Sequence, residues 1–341
     1  MVGKSKYDVI LDTIPPTQHR KEILFRLAGD DSIMVEYGRE PEIDYMDVFR
    51  QLLVSAEVNK RAATGYSQMN GFIEGVPTFR TAQYRFDPRI KTVEQMVAAI
   101  KDIELAVGDE RDIERADFNS PLIELPLAFE DPIITEANEK YLREVKKAES
   151  SVDIDPVYGD GITYMANYVG LTREEWKEKF LTTEWFSWAM GFFIGLIIAM
   201  PVDRRCLLRT SKSNPPRVYT PRNTVCMGSF ICSWYTVDAP GGYHLIGRTG
   251  PLIDLSQKHP SFKDDVALVH TLDRFKFYEV SVDEQRRIEA LVDSGSSDYI
   301  YKKTPGRFSV GEWKDFELEH KDEIDAWLKQ VDEYSSKAPV P

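Results

Sequence analysis

The chain is poor in cysteine. Three residues, Cys206, Cys226 and Cys232, are scattered through 341 positions. That number cannot build a disulfide framework, and no C-x-x-C pair suggests zinc. No block of basic residues stands out. With 43 lysines and arginines against 56 aspartates and glutamates, the net charge is −13, and such a surface repels phosphate backbones and anionic lipid headgroups. Nucleic-acid and membrane-surface partners are therefore not expected. Glycine (20) and proline (19) are too few for a collagen-like or low-complexity chain. The opening MVGKSKYDVILDT has no long apolar core of a signal peptide, so a reducing, cytoplasmic setting is expected.

Long uncharged runs are also scarce, with one exception. Trp185 to Val202 reads WFSWAMGFFIGLIIAMPV, without a charge. Its length reaches the threshold for a membrane span, and Gly191-x-x-x-Gly195 is a spacing used by packed membrane helices. The competing reading is a buried segment, broken by glycines and stopped at Pro201.

Periodicity organises the rest. Residues 1–22, with Pro15-Pro16, read as a leader without a core face. Glu22–Gly38 reads as two strands around a Gly29-Asp30-Asp31 turn, with Ile33, Val35 and Tyr37 alternating. Tyr45, Val48, Phe49, Leu52 and Leu53 have helical spacing. Ala82, Tyr84 and Phe86 alternate as in a strand. Thr92 and Gln95 form a capping box for a helix with Val93, Met96, Val97, Ile100 and Ile103 on one face. With the strand LIELPLAF this predicts an α+β sandwich of ferredoxin-like type over 23–120.

Asp131-Pro132 should then start a helix reaching about Ser150, and Thr172 with Glu175 another, carrying Trp176 and Phe180. From Pro201 the texture becomes short β-rich runs, including RRCLLRT, RVYT, TVCMGSFICSWYTV and RFKFYEV. Such spacing predicts an antiparallel barrel or sandwich. Expected bounds are 121–283 for this domain, with helical insertions, and 284–341 for a C-terminal extension. Its amphipathic helix carries Ile324, Trp327, Leu328 and Val331. Cys226 and Cys232, six apart, are expected on one face as small buried hydrophobes.

Several motifs together resemble one family. AGDDSIMVEYG (28–38), LPLAFEDP (125–132), PVDRR (201–205), the run from Lys212 through Asn214 to Arg217 with YTPRNTV (219–225), and PGGYHLIGRT (240–249) resemble the allophanate hydrolase subunit 1 family. Within it, the nearest likeness is to the corresponding half of the urea carboxylase (urea amidolyase) carboxyltransferase domain. The resemblance implies an N-terminal α/β domain followed by a cyclophilin-like β-barrel, with Trp185–Val202 inside a soluble fold. It also implies transfer of a carboxyl group from carboxybiotin, delivered by another chain, to a nitrogen of a small urea or amide.

That chemistry needs cations or N–H donors for a carboxylate and a ureido oxygen, and partners that orient a weak nucleophile. On motif positions, the catalytic candidates are Lys212, Asn214, Arg217 and Arg248. Candidates for binding substrate or carboxybiotin are Gly241, Gly242, Tyr243, His244 and Gly191. The alternative for the two arginines is a structural ion pair. For His244, which stands where the family usually has glutamine, it is a satisfied buried histidine. Gly241-Gly242 is expected to let the backbone approach a ligand.

Two departures bear on the substrate. Relatives carry G-D-V-Y-L-G-A-P where this chain has Met190 to Ile197, so the aspartate is replaced by an apolar run. Bulkier residues also replace the glycines of a V-G-I-G-G run at Val225–Ser229. Neither a biotinylation segment of A-M-K-M type nor a glycine-rich ATP-grasp loop occurs in these residues. The expectation is thus a subunit that binds neither ATP nor metal and works with a subunit 2-type partner and a biotinylated carrier and biotin carboxylase. The alternatives are a 5-oxoprolinase-type component of an ATP-dependent amidohydrolase and a non-catalytic regulatory homologue.

Overall fold

The structure is a computed structural model that describes residues 9–39, 44–129, 131–144 and 161–338. The chain divides into two compact units. One comprises Met1–Asp117 and Ser309–Lys314, the other Phe118–Phe308 and Asp315–Pro341.

The first unit holds strands β1 (Ile10–Ile14), β2 (Ile23–Leu27), β3 (Ser32–Tyr37), β4 (Phe72–Pro77) and β5 (Thr81–Phe86), with helices α1 (Tyr45–Ala63), α2 (Val93–Val107) and the short α3 (Glu110–Ile113). The strands form one antiparallel sheet of order β1-β2-β3-β5-β4. Alternation decides which face is dry: Ile33, Val35 and Tyr37 pack with Ala82, Tyr84 and Phe86 against Val54 and Val58 of α1 and Met96, Ile100 and Ile103 of α2. The Thr92–Gln95 capping box is present, satisfying N–H groups that the first turn leaves unpaired. A second stripe of α1 is also used, since Tyr45 stacks on Trp313 at 5.4 Å.

Two expectations fail here. Residues 10–14 are not part of a coreless leader: β1 pairs with β2 and buries Ile14. The strand Leu122–Leu127 does not join this sheet either. It is a hydrophobic run that suits a central parallel strand, and it pairs in parallel with Arg274–Glu279, far along the chain.

After β6 (Asp117–Asn119), the second unit contains β7 (Leu122–Leu127), α4 (Pro132–Glu144), α5 (Gly161–Val169), α6 (Arg173–Thr182), β8 (Trp185–Met190), β9 (Ile197–Pro201), β10 (Arg217–Thr220), β11 (Thr224–Gly228), β12 (Ile231–Tyr235), β13 (Ala239–Gly241), β14 (His244–Arg248), β15 (Arg274–Glu279), α7 (Val282–Ser294) and β16 (Lys302–Thr304). β17 (Arg307–Ser309), α8 (Val310–Glu319) and α9 (Lys321–Ser335) complete the chain. Eight strands form a sheet of order β14-β11-β12-β9-β8-β15-β7-β16. A bridge between Ala128 and Arg248, with hydrogen bonds of 2.9 and 2.8 Å, ties the end of β7 to β14, so the sheet curls back on itself.

The uncharged run 185–202 is the β8–β9 hairpin in this sheet. No helix of the described residues is long and apolar enough to cross a membrane. The apolar length of the run reflects burial on both faces, since every residue of Trp185–Ala189 is buried. RRCLLRT is not a strand: Arg204–Cys206 makes a single 3-10 turn and Leu208 plugs the core. The helix at Pro132 starts on Asp131, whose Oδ1 accepts from Ile133 N at 2.8 Å. It is described to Glu144, so the expected extension to Ser150 lies outside the described residues. Helices α5, α7 and α8 have no counterpart among the sequence expectations. Ile288 and Val292 of α7 enter the same core as Trp234 and Phe275, as does Val331 of α9.

Candidate functional site

Three backbone segments of the second unit converge on one cavity of about 560 Å³. The first is the turn of the β8–β9 hairpin. Gly191 N donates to Leu196 O at 3.1 Å, and Gly195 adopts φ +68° where a Cβ would run into Ile253. Neighbouring β12 pins this turn: Trp234 Nε1 donates to Gly195 O at 2.9 Å and Ser233 Oγ to Ile197 O at 2.6 Å. From it Phe192, Phe193, Leu196 and Ile198 make an apolar wall.

The second segment is the run before β10. Ser213 N donates to Gly242 O at 2.7 Å, and Tyr141 Oη donates to Pro215 O at 2.6 Å across a cis Asn214–Pro215 bond. Lys212, Ser213 and Asn214 face the cavity from here. The third is the β13–β14 loop with Gly241, Gly242 and Tyr243; Cys226, Ser233 and Tyr235 line the remaining wall.

Five of the nine sequence candidates thus meet around one space: Lys212, Asn214, Gly241, Gly242 and Tyr243. The two glycines have an internal reason to be small. A Cβ on Gly241 would overlap Tyr235 Oη, and one on Gly242 would press on Ser213 O at 3.0 Å. They let the loop close on its own neighbours, where the sequence suggested approach to a ligand.

Arg217 and His244 lie behind the cavity, in a small compartment that shares Ser213 with it. Arg217 is 2% exposed and donates from Nη2 to Tyr243 O, so it ties β10 to the glycine loop. Burial pushes its guanidinium below the usual range. His244 is buried, with its ring 4.6 Å from that of Tyr164 and Nε2 3.4 Å from Ser211 Oγ. Desolvation first and the Arg217 charge second push it down to about 3, so it is neutral at ordinary pH.

Arg248 stands apart from the cavity. Its side chain is buried between α7 and the start of α4, 2.9 Å from Glu289 and 3.7 Å from Asp131. Gly191 directly precedes the lining residue Phe192 in the hairpin turn, with open space where a side chain would go.

Among the described residues no carboxylate lines the cavity, and Lys212 supplies its one charged side chain, with Nζ 5.1 Å from the centre of the Tyr243 ring. Burial pushes the Tyr243 hydroxyl up to about 12 and raises the Tyr235 hydroxyl and Cys226 thiol further. These groups stay protonated near neutrality and act as hydrogen-bond donors rather than bases. The space therefore binds and orients. It suits a planar ligand with a carbonyl or carboxylate end at Lys212 and an apolar end at the hairpin.

Sequence reasoning did not assign Cys226, Ser233 and Tyr235 to the site. Cys226 pairs with Ser233, and Met227 with Cys232, across β11–β12. Cys226 consequently faces the cavity while Cys232 enters the main core, and the two thiols do not share a face as expected. Among the described residues no group of three or more His, Cys, Asp or Glu is placed to hold a metal ion.

Comparison with known proteins shows the family to which the chain belongs. Residues 23–263 match the family model described as carboxyltransferase domain, subdomain C and D. A putative urea carboxylase of Emericella nidulans is 29% identical over 333 residues, 96% of this chain and 26% of that protein. The urea amidolyase of Saccharomyces cerevisiae is 27% identical over 82% of this chain and 14% of its own length. The crystal structure of the K. lactis urea amidolyase superposes with a TM-score of 0.81 at 25% identity, over 96% of this chain and 19% of that one. The chain thus spans about a quarter or less of the length of the relatives it matches. It belongs to the carboxyltransferase domain, subdomain C and D family, and is homologous to the carboxyltransferase region of urea carboxylase and urea amidolyase.

Proposed function

We propose that this chain is one half of a biotin-dependent carboxyltransferase that directs a carboxyl group onto a nitrogen of a small urea- or amide-type compound. It does so in the cytoplasm, with a subunit 2-type half and a biotinylated carrier charged by a biotin carboxylase. On this reading the two units correspond to the ferredoxin-like sandwich expected from the periodicity and the cyclophilin-like barrel that the family resemblance implies. The observation that carries the proposal is the meeting of Lys212, Asn214 and the Gly241–Tyr243 loop on one cavity that Phe192, Phe193, Leu196 and Ile198 also line.

The cavity fits the head of carboxybiotin, which is flat, apolar on its faces and polar at its carbonyl and carboxylate. When bound, carboxybiotin supplies the activated carboxyl group. Lys212 would hold an anionic oxygen as a point charge, and Asn214 would orient an amide or ureido group through its side-chain amide. Tyr235 and Tyr243, which also line the cavity, are protonated near neutrality and would act toward a ligand as hydrogen-bond donors rather than bases. Arg217 acts one step back, holding the Tyr243 carbonyl and with it the loop.

The test is a bicarbonate-dependent carboxylation assay on the complete enzyme, with and without avidin, over urea and amide acceptors. Transfer abolished by avidin is expected. ATP-dependent amide hydrolysis that avidin leaves untouched would overturn the proposal in favour of a 5-oxoprolinase-type role.

A further inference from the structure

Phe192 combines two features that folding alone disfavours. It is 89% exposed, the most of any large hydrophobic side chain among the described residues, and its backbone lies at φ +72°. A left-handed conformation at a bulky residue is uncommon, and glycine or asparagine normally fills such a turn position. Nothing in the hairpin requires an aromatic here, because the turn is already held by the Gly191–Leu196 bond and the ties from β12. Backbone strain that the surroundings hold in place clusters at ligand-binding positions.

The position of the ring gives that strain a use. Phe192 lines the cavity and lies 5.4 Å from Phe193, which lies 5.9 Å from Tyr235, so aromatic faces run from the rim inward. Lys212 lines the same cavity and is its one charged side chain among the described residues, the cation that marks its polar part. An acceptor whose reacting end lies at Lys212 would put its other end against the apolar part of the lining, which includes Phe192 and Phe193. That end meets hydrocarbon and, among the described residues, no carboxylate. A bare urea N–H pointing there would lose its hydrogen-bond partner, whereas an alkyl or aryl group would gain contact area. A cationic amidinium would face Lys212 without a counter-charge.

We infer that Phe192 is a specificity-determining residue that packs on the apolar substituent of the acceptor, and that the acceptor class is neutral N-substituted ureas or amides. The inference rests on the proposed carboxyl transfer and names the substrate class of the same cavity. The exposed ring is free to move onto a ligand without loss of core packing.

The test measures kcat/KM of the complete enzyme for urea, N-methylurea, N-phenylurea and the cation acetamidine, in wild type, Phe192→Ala and Phe192→Leu. Wild type is expected to favour N-phenylurea over urea by about tenfold or more, the range that one apolar contact sets. Phe192→Ala should lower the N-phenylurea-to-urea ratio by about tenfold, Phe192→Leu should restore part of it, and acetamidine should be the poorest acceptor. A Phe192→Ala loss equal for all acceptors would overturn the inference, because it would place the ring against the biotin head instead. So would a wild type that prefers urea. Direct binding of N-phenylurea, followed by ligand NMR line broadening in the absence of ATP, separates the two levels. Binding that is weakened by Phe192→Ala without any turnover would keep the inference and remove the transferase reading. Equal binding to both proteins would remove the inference.

Discussion

Arg248 donates from Nη2 to Glu289 Oε1 at 2.9 Å, joining the end of β14 to the middle of α7. Asp131 Oδ2 lies 3.7 Å from the other nitrogen, and Arg222 reaches the same Glu289 oxygen at 3.2 Å. Arg248 and Asp131 are almost completely shielded from water, at 5% and 0% side-chain exposure. An arginine on a family motif, expected to serve chemistry, is thus the centre of a buried charge cluster.

Arg248→Ala should therefore act on stability. Removing its guanidinium leaves Glu289 paired with Arg222 and the fully buried Asp131 with only the more distant Arg286, at 4.0 Å, at a cost of up to about 3–5 kcal/mol. Urea denaturation of the purified protein measures it. A variant with an unchanged midpoint and no transfer activity would return Arg248 to a catalytic role.

His244 makes folding sensitive to acid. The unfolded histidine takes up its proton near pH 6.5 or so, but the folded one does so only at about 3. Between those values the unfolded state binds more protons, so stability contributed by the neutral ring is full above the upper value and lost as pH falls through the window. Thermal midpoints of wild type should drop more steeply from pH 6.5 downward than those of His244→Gln. Parallel curves would show that His244 charges without cost in the folded protein.

Gly241→Ala should force Tyr235 from its place, because the new methyl overlaps the Tyr235 hydroxyl. Overpacking of this kind costs about 1–3 kcal/mol. Tyr235→Phe in the same protein removes the nearest clashing atom but leaves ring carbon Cζ 2.6 Å from the new methyl, so it should recover part of the loss. A double variant no more stable than Gly241→Ala alone would mean the strain lies elsewhere in the loop.

Lys212 is exposed, and its ammonium lies 5.1 Å from the centre of the Tyr243 ring, so Lys212→Met should change stability by no more than about 1 kcal/mol. Carboxyl transfer should fall by about two orders of magnitude, the scale of losing one preorganised electrostatic contact. A fall of less than threefold in kcat/KM would exclude Lys212 from holding the reacting carboxylate.

Gly191 has no atom within 4 Å of where its Cβ would be. Gly191→Asp should fold like wild type and, by placing an acceptor next to Phe192, raise urea turnover relative to N-substituted acceptors. An unchanged acceptor ratio would show that position 191 does not reach the substrate.

What the sequence determined by itself was local and periodic. Alternation at Ile33, Val35 and Tyr37 is enough to mark a strand with one dry face, and Thr92 with Gln95 is enough to open a helix, because both signals lie within a few residues of the groups they satisfy. The motif run from Lys212 to Asn214 and the Gly241–Tyr243 loop line one cavity, where the Ser213–Gly242 backbone hydrogen bond joins them. Tertiary structure decided the rest. Leu122–Leu127 pairs with Arg274–Glu279 and not with the strands before it, a partner choice made by burial on both faces that no local pattern records. The same holds for the uncharged run at Trp185–Val202: its composition suits a membrane helix or a buried hairpin equally, and the neighbours β12 and β15 settle it. Register separates Cys226 from Cys232, because Cys232 pairs with Met227, the immediate neighbour of Cys226, and adjacent residues of a strand point to opposite sides of the sheet. Arg217 and Arg248 carry the same charge on similar motifs. One lies beneath the cavity loop on the Tyr243 carbonyl and the other is locked to the Glu289 carboxylate, because a guanidinium taken out of water needs an acceptor and tertiary structure decides which one it meets.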